Sequence, residues 1–304
     1  MLPRPMLWEL ERRCQKPDHR RVGNWMARRL IRPAALRVTY VVAPWGVSAN
    51  VTTLAAWASG VAAACLFGWG SPIGWLLAVA MLQLWYLLDH VDGQLARFHG
   101  TASLDGTQLD YLMHHTIHLL VPLGIGYGLF VATDEPVWLV AGAAWGVALL
   151  LGTLHHDARY KAFVKRLKRL QGRLTVEGGG GSRPEPQPPL PRNPVRLAAY
   201  LARKACEMHV LMNVFILAAI GAWWAGDTRL VCARILVLLL TPTAVAVTGW
   251  TLFRSQREQQ AEREFAAWYR VPPDHELCFL EGWWHVCRSD SGQETFTAPA
   301  NSRT

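Results

Sequence analysis

Long apolar runs alternate with short charged connectors along this chain. Six runs, at roughly 49–68, 72–89, 109–132, 136–154, 208–225 and 230–252, are each about 18 residues or longer. A helix of that length crosses the ~30 Å hydrocarbon layer of a bilayer, where only closed backbone hydrogen bonding is tolerated. The pattern therefore predicts an all-α integral membrane fold with six transmembrane helices, spread over residues 48–255. Ahead of them, within a basic region at 1–47, Val22, Trp25, Met26 and Leu30 recur at helical spacing, with Arg21, Arg28, Arg29 and Arg32 on other faces. That is the pattern of an interfacial amphipathic helix lying on an anionic leaflet, over Arg20 to Arg37, with Pro33 expected to end or kink it. The first 47 residues hold no apolar core of the length a cleavable signal needs.

Two stretches break the apolar rhythm. Residues 161–196 carry a basic run from Lys161 to Arg173, then Gly178–Gly181 and the prolines from Pro184 to Pro194, which reads as a flexible and then extended linker. The tail, 256–304, opens as a charged helix through Glu258, Glu262, Arg263 and Glu264. It then turns to short β-prone runs at His275–Leu280, Trp283–Arg288 and Glu294–Thr297, which predict a small hairpin or three-stranded cap.

Charge changes the picture in one respect. A net charge of +9 over 304 residues would suit a nucleic-acid binder, but 29 of the 31 Lys and Arg fall on one side of the alternating topology. The loop holding Asp134 and Glu135 lies on the other side. That asymmetry predicts cytoplasmic termini and a cytoplasmic 89–108 connector, as in the plasma membrane of a bacterium, with lipid and not nucleic acid as the surrounding partner. Many of the 15 Trp sit at the ends of apolar runs, as rings at the headgroup level do. Of the six Cys, those outside the spans fall on the cytoplasmic side, where thiols stay reduced. His275, Cys278, His285 and Cys287 match no common zinc-ligand spacing.

The chemistry concentrates in DHVDGQLARFHGTASLDGTQLDYLMHH, from Asp89 to His115. Asp89 and Asp92 are three apart, and Asp110 and His114 four apart, so each pair shares a face of its helix. Two antiparallel helices would bring the pairs together around a cation, and hard oxygen donors select Mg2+ or Mn2+. Arg97 offers a fixed charge to a phosphate oxygen, and Gly93 and Gly106 leave room beside the backbone. Such a group suits phosphoryl transfer, with His114 placed to take a proton from an incoming hydroxyl. His155, His156 and Arg159, at the end of the fourth run, are candidates to line an acceptor pocket.

This stretch resembles the signature of the CDP-alcohol phosphatidyltransferase family, D-x2-D-G-x2-A-R-x8-G-x3-D-x3-D. Asp89, Asp92, Gly93, Ala96, Arg97, Gly106 and Asp110 stand at the family's positions, and Ser103 sits where a Ser is common. Asn50 and Thr53 resemble the family's Asn-x-x-Thr element at the start of the first span. The resemblance covers about residues 20–255. It implies divalent-metal ligation by Asp89, Asp92 and Asp110, and nucleotide contacts from Asn50, Thr53, Gly93, Ala96, Arg97 and Gly106. It also implies transfer of a phospho-alcohol group from a CDP-alcohol to an acceptor alcohol, and commonly a homodimer. The departure is His114, where the family has its last Asp. An imidazole is a competent base and a poorer magnesium ligand than a carboxylate. Two readings follow, a working enzyme with a His base or an inactive nucleotide- or lipid-binding relative. A transporter fits less well, because the charged cluster lies near one membrane face and not at mid-depth.

Overall fold

The computed structural model describes residues 7–15, 23–176, 190–227, 229–272, 274–280 and 282–288. The chain forms two compact units, Met1–Leu154 with Pro184–Leu252, and His155–Arg183 with Phe253–Thr304.

The first unit is all helix. After α1 (Leu7–Cys14), one π-turn at Ala27–Ile31 leads into α2 (Arg32–Val42), and then come α3 (Ala49–Phe67), α4 (Pro72–His99) and α5 (Leu104–Thr133). Helices α6 (Val137–Leu167) and α9 (Val231–Arg257) each begin in this unit, and between them lie α7 (Pro194–Ala205) and α8 (Met208–Trp224). Helices α3, α4, α5, α6 and α9 are long and apolar enough to cross a membrane. The expected span at 208–225 appears as α8, 17 residues long and bent by 79° from α7, so the count reaches six if that pair is one broken span. The fold is an all-α integral membrane architecture.

Helix ends depart from the apolar run ends. Helix α4 continues ten residues past Asp89 to His99 and stops at Gly100, whose φ of 66° caps the helix left-handed. Helix α5 starts at Leu104, capped by Ser103, whose hydroxyl accepts from the Gly106 N–H at 3.1 Å. The whole acidic stretch is thus helical except for a tight turn at 100–103. Pro33 does not end the N-terminal helix. It falls in the first turn of α2, where its missing N–H costs nothing, and the π-turn before it absorbs the change of pitch. Asn24 anchors that segment. Its Oδ1 accepts from the Ala27 N–H at 2.8 Å, and its Nδ2 donates to the Tyr86 hydroxyl of α4 at 2.9 Å.

Lipid tails give no hydrophobic drive between helices, so membrane bundles close on small residues and interhelical hydrogen bonds. Methyl groups at Gly124 and Gly128 of α5 would collide with the carbonyl oxygens of Ala64 and Phe67 in α3. Gly126, on the other face of α5, meets Gly142 of α6. Thr248 of α9 donates to the Ala148 carbonyl of α6 at 3.0 Å. Phe67, Trp75, Trp145 and Phe215 then fill the centre, edge to face, all of them buried. The tryptophans accordingly divide. Trp45, Trp69, Trp224 and Trp250 are exposed as interfacial rings should be, while Trp75, Trp85, Trp138 and Trp145 are core.

The second unit gives structure to residues read as linker. Helix α6 runs on to Leu167, the basic run then supplies β1 (Leu170–Gln171), and β2 (Thr175–Val176) follows just after it. The tail adds α10 (Gln260–Trp268), β3 (Tyr269–Arg270), β4 (His275–Leu280) and β5 (Trp283–Arg288). Strand β5 lies between β4, antiparallel, and β1, parallel, and β2 pairs with β3. Arg166 holds Glu262 with both terminal nitrogens, at 2.6 and 2.5 Å, and lies over the rings of Phe265 and Trp284. The basic run thus has acidic and aromatic partners in the tail. The glycines at 178–181, most of the proline stretch and the expected strand at Glu294–Thr297 lie outside the described residues.

Candidate active site

Helices α4 and α5 are joined by the 100–103 turn, which brings the polar end of α4 and the polar start of α5 together. Asp89 Oδ1 stands 2.9 Å from His114 Nε2, and Asp110 Oδ1 stands 3.4 Å from the same nitrogen. Asp89 Oδ2 is 3.4 Å from His90 Nδ1. Among the described residues Asp89, Asp110 and His114 are the one group whose donor atoms lie within 4.8 Å of one another, close enough to share a cation. Their chemistry, two carboxylates and an imidazole, fits a hard or borderline dication.

Asp92 is held differently. It is buried, and its Oδ2 accepts from the Thr53 hydroxyl of α3 at 2.7 Å. Three of the four residues expected around a cation or its base thus come together, and the fourth is tied to a neighbouring helix one turn away. The ring of His114 packs edge-on against Trp85 at 5.5 Å and stacks on His118 at 6.3 Å, which fixes its plane.

Two adjoining cavities flank this cluster. The first, about 350 Å³, is lined by Asn50, Thr53, Gly93, Ala96, Arg97 and Gly106, together with Asp92 and Asp110. All six residues expected to meet the nucleotide therefore share one concave surface. Gly93 has a local reason. Its Cα is overlain by the guanidinium of Arg97, which would stand 3.3 Å from an added methyl group. Gly106 leaves space for the Asn50 amide, at 3.4 Å on the same reckoning.

The second cavity, about 290 Å³, is lined by Asp89, His90, Gln94, His114, Gln15 and Arg32, and shares Asp92, Gly93, Arg97 and Asp110 with the first. Sequence reasoning missed Gln15, Arg32, His90 and Gln94 as site residues. Gln94 is buried and accepts from the Thr39 hydroxyl at 2.9 Å, which draws α2 onto α4 and brings Arg32 to the site. Burial lowers the Arg32 pKa from its ordinary value, a partly desolvated charge suited to an anion. Arg97 donates its Nε–H to the Cys14 carbonyl, so α1 closes the wall beside it. The acceptor candidates His155, His156 and Arg159 belong to the second unit, where Arg159 pairs with Glu264 at 2.7 Å and His156 lies 3.3 Å from Asp157.

In this helical membrane unit, two carboxylates and an imidazole gather where the end of α4 meets the start of α5, with Arg97 lining the adjoining cavity. Residues 46–170, from the foot of α3 to just past the end of α6, match the family model of the CDP-alcohol phosphatidyltransferases. The match covers less than half of the chain. Among solved structures, the Mycobacterium tuberculosis phosphatidylinositol phosphate synthase with CDP-DAG bound is similar at 16% identity, covering 72% of this chain and 91% of its own, with a TM-score of 0.43. No curated protein matches the chain.

Proposed function

We propose that this protein transfers a phospho-alcohol group, phosphatidyl in the first instance, from a CDP-alcohol such as CDP-diacylglycerol to an acceptor alcohol, in phospholipid synthesis. The observation that carries this reading is the convergence of Asn50, Thr53, Gly93, Ala96, Arg97 and Gly106 on one cavity that opens beside Asp89, Asp110 and His114. The acceptor oxygen bonds to the phosphorus that bears the transferred alcohol, the bond from that phosphorus to CMP breaks, and CMP leaves.

Asp89 and Asp110, with Asp92 alongside, would hold Mg2+ or Mn2+. Bound there, the cation neutralises charge on the pyrophosphate. Arg97 adds a second positive charge on the nucleotide side. His114 takes the acceptor's proton, and an imidazolium at Nε2 finds the Asp89 and Asp110 carboxylates within reach to hold it. A second reading, His114 as third ligand, is favoured by the same convergence of donor atoms.

The protein purified in detergent should release CMP from CDP-diacylglycerol with at least one alcohol in a panel of acceptors, and only with Mg2+ or Mn2+ present. Binding of the donor without CMP release from any combination would support the inactive relative instead. We also propose cytoplasmic termini and a cytoplasmic site in a bacterial plasma membrane, from the 29-to-2 split of basic residues. A reporter fused after residue 180 should read as cytoplasmic and one after Asp134 as external; external labelling at 180 overturns the orientation.

A further inference from the structure

Of the two cavities beside the acidic cluster, the first gathers the residues expected to meet the nucleotide, and Asp89 and His114 line the second. A hydroxyl that gives its proton to His114 stands in the second cavity. On the transfer reading proposed above, that cavity therefore receives the acceptor, and its walls describe what the acceptor is. All ten residues lining it are polar, charged or glycine. An acyl chain lodged there would desolvate these groups without pairing them. The volume, about 290 Å³, suits a small molecule.

The N-terminal helices give this cavity a cationic wall. Arg32 opens α2, and Gln94 of α4 holds it there by donating from Nε2 to the Arg32 carbonyl at 3.4 Å. Gln15 directly follows α1, whose final residue, Cys14, binds Arg97 through its carbonyl. Gln15, Arg32 and Arg97 all line the cavity, and the two guanidiniums, both partly buried, are close enough to act on each other's charge. Two such cations held together gain from an anion that meets them. Gln15 and Arg32 lie outside residues 46–170, so the family match does not account for this wall. We propose that the second cavity selects a small, water-soluble alcohol that carries its own anionic group, phosphate or carboxylate, which Arg32 and Gln15 bind. That group is a spectator. The alcohol's oxygen bonds to the donor phosphorus, its proton passes to His114, and CMP leaves. The lipid is then the donor, and the product carries an anionic head group.

The test uses the full chain in detergent with Mn2+ and CDP-diacylglycerol, and acceptors that differ by one anionic group. Glycerol is set against glycerol 3-phosphate and glycerate, and inositol against inositol 1-phosphate. An anionic member should be preferred over its neutral parent by at least about tenfold in kcat/KM, the worth of one charge-assisted contact. Arg32→Gln should raise the KM of that acceptor at least about tenfold, and Arg32→Lys should recover part of the loss. Gln15→Ala should raise it by a smaller step, and carries the test should Arg32→Gln not fold. Arg37→Gln, which removes the same charge from an exposed position of α2, should not raise it. Calorimetric titration of glycerol 3-phosphate, glycerate and inositol 1-phosphate into the Mn2+-loaded protein reads the cavity without turnover. Binding without CMP release from any donor discards the transferase and keeps the anion subsite. Preference for the neutral member of each pair, or for diacylglycerol with a CDP-linked head group as donor, overturns the subsite and keeps the transferase. A rise confined to the donor's KM in Arg32→Gln, an equal effect of Arg37→Gln, or no binding of any anionic acceptor overturns the subsite as well.

Discussion

An Asp89→Asn protein should insert and unfold as the wild type does but release CMP at least about 10²-fold more slowly at saturating Mn2+. The substitution keeps the size of the side chain and removes its charge. Asp89 is the hub of the cluster, with one carboxylate oxygen toward His114 and the other toward His90. Its loss leaves Asp110 as the sole carboxylate of the gathered group, too little to compete for a hydrated dication. Asp92→Asn should also abolish turnover, and in addition weakens the acceptor that Thr53 of α3 donates to. Raising the Mn2+ concentration should restore part of the rate in either variant. Near-normal turnover in Asp89→Asn would sink the assignment of the cation to this cluster.

His114→Ala divides the two readings of the imidazole. As base, His114 should contribute on the order of 10² to 10⁴ in turnover, with donor binding and the metal requirement unchanged. As ligand, its loss should instead raise the Mn2+ concentration needed for half-maximal rate. The sign of the pH effect follows from the same role. The wild-type rate should rise with pH as the imidazole loses its proton, and His114→Asp should keep activity while moving that rise to lower pH, because a carboxylate ionises earlier. An inactive wild type that gains turnover on His114→Asp would establish the inactive relative. Normal turnover in His114→Ala would remove the imidazole from the mechanism altogether.

The acidic site was legible in the sequence because its logic is local. Three- and four-residue spacings place side chains on one helix face whatever else the fold does, and the turn at 100–103 is short enough to bring the end of α4 to the start of α5. The ends of the helices were not legible. The apolar run closes near Leu88, yet α4 continues to His99 because Asp92, Gln94 and Arg97 find partners on α3, α2 and α1. Those partners are 39, 55 and 83 residues away, beyond any window of periodicity. The same distances hid the second cavity, since Gln15 and Arg32 sit in a segment whose charge suggests only a lipid-facing helix. In the tail, β-prone runs between turn residues coincide with β4 and β5, but β1 has two residues and so no pattern to read.

The bond from Arg97 to the Cys14 carbonyl bears on how the protein is handled at the bench. A guanidinium has five N–H donors in one plane, and commitment of Nε to a backbone oxygen fixes that plane and leaves only the terminal pair for an incoming anion. The oxygen belongs to the last residue of α1, a helix of about two turns. A purification handle or fusion partner grafted onto the amino end is thereby coupled to the arginine that lines the first cavity. Michaelis constants from amino-tagged and carboxy-tagged preparations of this protein should therefore differ.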